Sequence, residues 1–400
     1  MKHWPTKSLG EVCAINPKLA ASDVPAVDSE VTFVPMAAVD ERSGSIIRPE
    51  VRQYHQVAKG YTSFRENDVL FAKITPCMEN GKAAIARGLV NHIGFGSTEF
   101  HVLRPSSKLL PEWLFAFIRQ PSFRSEAEAN FTGTAGQRRV PSEFMKRTAI
   151  SVPPLAEQRR MTKLLDDADE LRRLRVKAGD RTAVLIPALF DEMFGDPGAN
   201  PQGLPIIRLG ELCRVLPNYG TMIPASATKG EWLTIRVANI QAGLLNLADQ
   251  KFVDIPDDML DRHTVRDGDL LLARAIGSKE HLGKCIVVYP RSRKWAFDSH
   301  LMRIRLRRER CEPVWLKTLL DSPGGRALFL ANTRQSAVQF NINSKEFANI
   351  AVPLPPMSVQ KEFAGRVKEI RELEAKQVAS RDRLDDLFQS MLRRAFSGEL

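Results

Sequence analysis

The chain has 400 residues, 43% hydrophobic and 26% charged, with a formal net charge of +11. That is enough apolar material for two cores, and the positive charge favours a polyanionic partner. No run approaches a membrane span, the first residues lack the apolar stretch of a signal peptide, and five cysteines without CxxC spacing argue against a disulfide framework, so a soluble, cytoplasmic protein is expected.

From the N-terminus to about Val152 the pattern is mixed α/β. Val31-Thr32-Phe33-Val34 and Asp68-Val69-Leu70-Phe71-Ala72 read as buried strands punctuated by Gly and Pro. Pro111 to Ile118, with Trp113 near its start, reads as an amphipathic helix packed on them. The small, polar and basic stretch 131–139 reads as a surface loop. At Val152-Pro153-Pro154-Leu155-Ala156-Glu157-Gln158 an extended run meets prolines, where a strand should end and a helix begin.

That helix is expected from Glu157 to about Ile186. Met161, Leu164, Ala168, Leu171, Ala178 and Leu185 follow a/d spacing, and Leu165 and Leu174 widen the stripe. Gly179 weakens it, and Pro187 should break or kink it. Residues 195–201 read as a linker and 206–352 as a second globular part, in which Val314 to Leu320 stands where the first has its Trp113 helix. A second long helix should run from Ser358, a credible N-cap, to about Phe396, with Phe363, Ile370, Gln377, Leu384 and Met391 seven apart. Matching stripes predict that the two helices pair. The alternative is that each packs only on its own globular part.

The chain contains itself twice. Leu9-Gly10-Glu11-Val12-Cys13 matches Leu209-Gly210-Glu211-Leu212-Cys213, the stretch 64–73 matches 265–274, Gly81-Lys82 matches Gly283-Lys284, Gln137 matches Gln339, and the proline junction returns at 352–360. A unit this long is a duplicated domain rather than a solenoid repeat. Residues 101–150 hold eight Lys/Arg against four Asp/Glu and 301–350 hold nine against four, so most of the positive charge recurs at the same place in each copy. A repeated basic surface is expected there.

Motifs for chemistry are missing. Gly277 to Cys285 resembles a P-loop but has one residue too many between its glycines, and Cys285 stands where Ser or Thr should. Gly94-Phe95-Gly96 lacks the third glycine of a dinucleotide loop, the histidines have no HExxH spacing, and the Asp166 to Glu170 run reads as a solvated helix face. No Asn-Pro-Pro-Tyr tetrapeptide of an amino-methyltransferase is present. The reading is a non-catalytic protein that binds no metal.

The junction Val152 to Gln158 with its echo at 352–360, the block Asn67 to Lys82 and the tail Arg394-Ala395-Phe396-Ser397-Gly398-Glu399-Leu400 resemble the specificity subunit of type I restriction-modification systems over essentially the whole chain. One departure is Val359-Gln360 where the first copy has Glu157-Gln158, which puts one contact at the helix start in question. The resemblance implies a mixed α/β (α+β) fold with a pseudo-twofold internal repeat: two target recognition domains separated by two long antiparallel coiled-coil helices. The corresponding boundaries are 1–153 and 200–355 for the recognition domains, 154–199 for the central helix and linker, and 356–400 for the C-terminal helix.

The resemblance further implies a bipartite, asymmetric DNA target and docking to two adenine methyltransferase (modification) subunits and to restriction/translocase subunits. S-adenosylmethionine, ATP and Mg²⁺ would belong to those partners, with no cofactor on this chain. DNA contacts are expected from Lys73, Asn80, Lys82, Gln137, Arg138 and Arg139 in the first copy and Arg274, Lys284, Gln339 and Asn341 in the second. Helix pairing or partner docking is expected from Leu164, Leu171, Leu185, Phe363, Ile370 and Leu384. A recognition subunit of another methylase-nuclease system, or a coiled-coil scaffold that binds no DNA, are the alternatives.

Overall fold

A computed structural model describes residues 4–134, 136–241, 243–276, 282–335 and 340–400. The chain divides into two compact units, Met1–Ala178 with Val378–Leu400 (unit 1) and Gly179–Gln377 (unit 2). The boundaries drawn above follow sequence motifs; these units instead each take a stretch of both long helices.

In unit 1 the apolar run Val69–Ala72 is fully buried because it lies inside a four-stranded sheet in the order Cys13–Ile15, Phe100–Pro105, Val69–Ala72, Ala83–Ile85. A second sheet runs Glu50–Gln53, Glu30–Val34, Ile93–Gly96, Thr62–Arg65. There Gly94 is opposite Phe64, and a Cβ at Gly94 would fall against the Phe64 ring, so only glycine lets that ring cross the strand. The helix Pro111–Ile118 covers the first sheet through Trp113, which is 0% exposed, donates its indole N–H to Ser151 O at 2.8 Å and stacks on Phe396 at 4.0 Å.

Unit 2 uses the same pairings. Its four-stranded sheet runs Asn218–Tyr219, Leu301–Ile304, Asp269–Ala273, Cys285–Val288, and a three-stranded one runs Phe252–Val253, Trp232–Ile235, Trp295–Phe297. The first strand of each globular part closes on its last, Thr6–Ser8 on Ala149–Ser151 and Ile206–Arg208 on Ala351–Pro353. A buried ion pair recurs as well. Arg104 grips Asp68 through Nε and Nη2 at 2.8 and 2.7 Å, and Arg305 grips Asp269 at 2.9 and 2.8 Å. In both units the carboxylate also accepts a backbone N–H, from Arg65 or Arg266, which satisfies it further.

The central helix spans Leu155–Ala183 and the terminal helix Met357–Ser397. Gly179 is accommodated without a break. The helix stops four residues before Pro187 and a second helix, Leu185–Phe194, takes over, as the clash between a proline ring and the carbonyl four residues earlier requires. Ser358 is not the N-cap: the terminal helix already includes Met357, because Pro355-Pro356 sets its start one residue earlier.

The glutamine after each proline junction is 0% exposed and ties helix to globular part in the same way. Gln158 accepts from Leu110 N–H at 2.8 Å and donates to Lys108 O and Pro153 O; Gln360 accepts from Glu312 N–H at 2.9 Å and donates to Arg310 O and Pro355 O. The departure at Val359 leaves this contact untouched: Gln360 makes the same set of bonds as Gln158, and Glu157 pairs with Arg160 on the surface.

Within unit 1, Arg160 reaches Leu400 O at 2.8 Å and Arg172 reaches Asp385 at 2.6 Å, so the two helix segments there run in opposite directions. The inward face of the central segment is Met161, Leu165, Asp169 and Arg172: Met161 begins the expected stripe and Leu165 was expected to widen it, but from there the face runs one position on. Leu164, Leu171 and Leu185 are 38%, 56% and 41% exposed. An apolar pattern alone could not register this shift, because the seam carries an ion pair and, in unit 2, a Thr182–Gln377 hydrogen bond of 3.0 Å. Phe363 is 0% exposed in the core of unit 2, Ile370 packs at that core's edge, and Leu384 is half-buried.

Candidate nucleic-acid interface

In each unit the central buried strand delivers a cation to the same backbone cradle. Lys73 follows Val69–Ala72; its N–H donates to Glu99 O at 2.9 Å and its carbonyl accepts from Val140 N–H at 2.9 Å. Arg274 follows Asp269–Ala273; its N–H donates to His300 O at 3.0 Å and its carbonyl accepts from Ile342 N–H at 3.0 Å. Three chain segments therefore meet identically in both units, while their side chains differ.

In unit 1 the cradle holds Lys73, Glu99 and Arg139. Arg139 is bidentate to Glu99, Nε at 2.9 Å and Nη2 at 2.7 Å, and Nη1 donates to Gln137 O at 2.9 Å. The Arg139 bond holds the Glu99 carboxyl below its usual range, against partial burial, and Lys73 adds to the lowering. The loop above is pinned by paired bonds between Thr132 and Arg139 at 3.0 and 2.9 Å, and Gly133 at φ 110° lets the chain pass close to Gln137 O. This leaves Gln137 and Arg138 exposed at the tip, with Arg138 5.3 Å over the Phe131 ring. Lys73, Gln137, Arg138 and Arg139 are thus gathered in one place.

Beneath them His101 is buried. Its Nε2–H donates to Val140 O at 2.8 Å and Nδ1 accepts from the Asn16 amide at 3.0 Å, and burial pushes its pKa down to about 4, so it is a neutral strut for the loop. Asn80 and Lys82 lie on the adjoining turn: Asn80 is exposed, and Lys82 Nζ donates to Met36 O at 3.4 Å.

In unit 2 the cradle holds Arg274, His300 and Asn341. Arg274 donates Nε to Ser299 O at 2.9 Å and Nη1 to Asn341 Oδ1 at 3.1 Å, and its guanidinium lies 3.9 Å over the Tyr219 ring. Asn341 is exposed, and its amide carries N–H₂ donors besides the oxygen that accepts this bond. Lys284 is half-buried, its carbonyl accepting from Ala273 N–H at 2.8 Å as that of Lys82 does from Ala72. Gln339 and the start of the P-loop look-alike, 277–281, lie outside the described residues. Glu99, His101, Tyr219 and His300 were not anticipated; the internal offset that pairs Lys73 with Arg274 also pairs Glu99 with His300, and carrying it through would have exposed them.

The basic quarters are less of a surface than their count implies. Arg104 and Arg305 are committed to Asp68 and Asp269, Arg139 to Glu99, and Arg303 is 3% exposed, donating to backbone carbonyls of Asp261 and Thr264.

Residues 1–177 match the family described as the type I restriction modification DNA specificity domain. The chain is thus similar to type I restriction-modification specificity subunits. Among specificity subunits from Escherichia coli, it is 27% identical to that of the type I restriction enzyme EcoEI over 89% of this chain and 76% of that one. It is 38% identical to the EcoAI subunit over 47% of this chain and 32% of that one. The fold matches a chain from a structure of a type I R-M system, on complex assembly and conformational transition, with a TM-score of 0.67 at 24% identity over 99% of this chain and 98% of that one. It also matches the S subunit of a type I system from M. genitalium, with a TM-score of 0.55 at 13% identity over 98% and 96%. Among the described residues no helix is long and apolar enough to cross a membrane, and no cluster of three metal-ligating side chains occurs.

Proposed function

We propose that the chain is the DNA-reading subunit of a type I restriction-modification complex and recognises a bipartite, asymmetric target, one half with each unit. The supporting observation is the duplicated cradle: one backbone frame offers Lys73, Glu99 and Arg139 in unit 1 and Arg274, His300 and Asn341 in unit 2. Equal frames with unequal donors and acceptors suit two readers that dock alike and read different bases. In this reading Arg138, Gln137 and Asn341 touch DNA, Lys73, Lys82 and Lys284 add positive potential, and Gln339 remains a contact proposed from the sequence alone.

The chain itself carries out no chemistry. Methyl transfer and cleavage belong to modification and restriction subunits, which bring S-adenosylmethionine, ATP and Mg²⁺. The two long helices act as an antiparallel pair that fixes the interval between half-sites, and the outward Leu164 and Leu171 of the central helix, with Leu185 at the start of the helix that follows it, give the partner subunits an apolar surface. A gel-shift of the modification subunits on duplex DNA, with and without this chain, tests the reading. A specific shift is expected only with the chain present; equal shifts in both lanes contradict it.

A further inference from the structure

Unit 1 contains a cavity of about 650 Å³ between the hairpin formed by Val39–Asp40 and Ser45–Ile46, the turn at Asn80-Gly81, the helix Pro121–Ala129 and the facing stretches of the two long helices. Six cations line it: Arg42, Arg119, Arg124, Arg172, Arg173 and Lys177. Only four carboxylates do: Asp40, Glu41, Asp169 and Asp385.

Three of those carboxylates are engaged elsewhere in the wall. Asp169 takes Arg172 at 2.8 Å and Arg173 at 2.6 Å, Asp385 takes Arg172 at 2.6 Å, and Asp40 accepts from Ser43 N–H at 2.7 Å. Arg119 and Arg124 have carbonyl partners instead. Nη2 of Arg119 donates to Arg42 O at 3.0 Å and Nη1 of Arg124 to Glu79 O at 3.1 Å. Among the described residues neither guanidinium has a carboxylate within ion-pairing distance, and Nε of Arg124 is buried with no hydrogen-bond partner.

Burial pushes Arg119 below its ordinary pKa. Asp169 opposes that, and Arg172, Arg173 and Arg124 reinforce it, so the cations stand near enough to repel one another. A guanidinium has five donors, and even half-buried, as Arg119 and Arg124 are, it is costly to leave without a counter-charge. The wall is not uniformly polar, since Phe388 lies 4.5 Å under Arg172, with Val176 and Ile47 beside it.

We propose that this cavity binds a small phosphate-bearing ligand of nucleotide size, with its phosphate on Arg119 and Arg124 and its apolar part against Phe388 and Val176. The excess of two positive charges matches a phosphate monoester, which carries about −1.5 to −2 at neutral pH. Paired arginine forks are the side chains best shaped to hold it. The volume falls within the range of small-molecule sites, roughly 300–1,000 Å³.

Calorimetric titration of the full chain with AMP, inorganic pyrophosphate and adenosine decides the matter. AMP and pyrophosphate should saturate one site, with adenosine at least about tenfold weaker. Arg119→Gln combined with Arg124→Gln should weaken both anions by about tenfold or more, and Arg124→Lys alone, which keeps the charge and loses the fork, by less. No saturable binding of either anion by the unaltered chain at millimolar concentration overturns the proposal, whatever the variants do. Displacement of pyrophosphate by a short DNA duplex would assign the phosphate to nucleic-acid backbone and overturn the free-ligand assignment.

Discussion

Arg138 and Arg139 are adjacent in sequence and differ in what they are free to do. Arg139 is locked on Glu99 at 2.7 Å, while Arg138 is exposed beside Phe131. A phosphate contact neutralised by one side chain contributes about 0.9 to the slope of log K against log salt. Arg138→Ala should therefore flatten that slope by about one contact in the assembled complex, and Arg139→Ala by less, while loosening the loop. Equal slopes for wild type and Arg138→Ala would remove Arg138 from the interface.

His101 supplies a second test at this scale. Its folded pKa is near 4 against an ordinary 6.5, through burial, so the unfolded chain binds the proton more readily. Its contribution is complete above pH 6.5 and falls away as the pH drops toward 4, by roughly 3 kcal/mol at about 1.4 kcal/mol per unit. In unit 2 the equivalent strand position is Met302. Thermal unfolding followed from pH 7 downward should show a shallower acid slope for His101→Met than for wild type. Identical slopes would mean that the histidine does not stay neutral in the folded loop.

The secondary-structure elements were largely legible because prolines and apolar runs punctuate them. Val69–Ala72, Pro111–Ile118 and the break before Pro187 fall where spacing puts them. The register of the terminal helix was legible too, since Phe363 and Ile370 face the core of unit 2 as their spacing expects, but that of the central helix was not. Leucines at 164, 171 and 185 attract an a/d assignment, yet the inward positions are 165, 172 and 186, because a seam can be closed by an arginine bridging Asp169 and Asp385. The buried glutamines were likewise quoted only as part of a motif, although each fixes a helix to its globular part. Gln158→Ala should strand Leu110 N–H and two carbonyls, and lower stability by about 2–3 kcal/mol in chemical unfolding. A loss below about 0.5 kcal/mol, typical of a surface change, would show that water takes over these bonds.

For the whole molecule, charge counted in windows of sequence overstated the basic surface. The acids that neutralise Arg104 and Arg305 are Asp68 and Asp269, which lie in other windows and meet them only across a sheet. Duplication was legible from the sequence offset alone, but its functional content appears only when the side chains of the two cradles are set side by side. Lys73 with Arg139 and Arg274 with Asn341 occupy the same frame with different hydrogen-bonding character. If each unit reads its own half-site, the units are exchangeable parts. Residues 206–352 should be replaceable by the matching block of a relative, and methylome sequencing of cells carrying the hybrid complex would read the outcome. The expected result is a methylated target in which one half changes and the other half is retained. A target altered in both halves, or in neither, would contradict the division of reading between the two units.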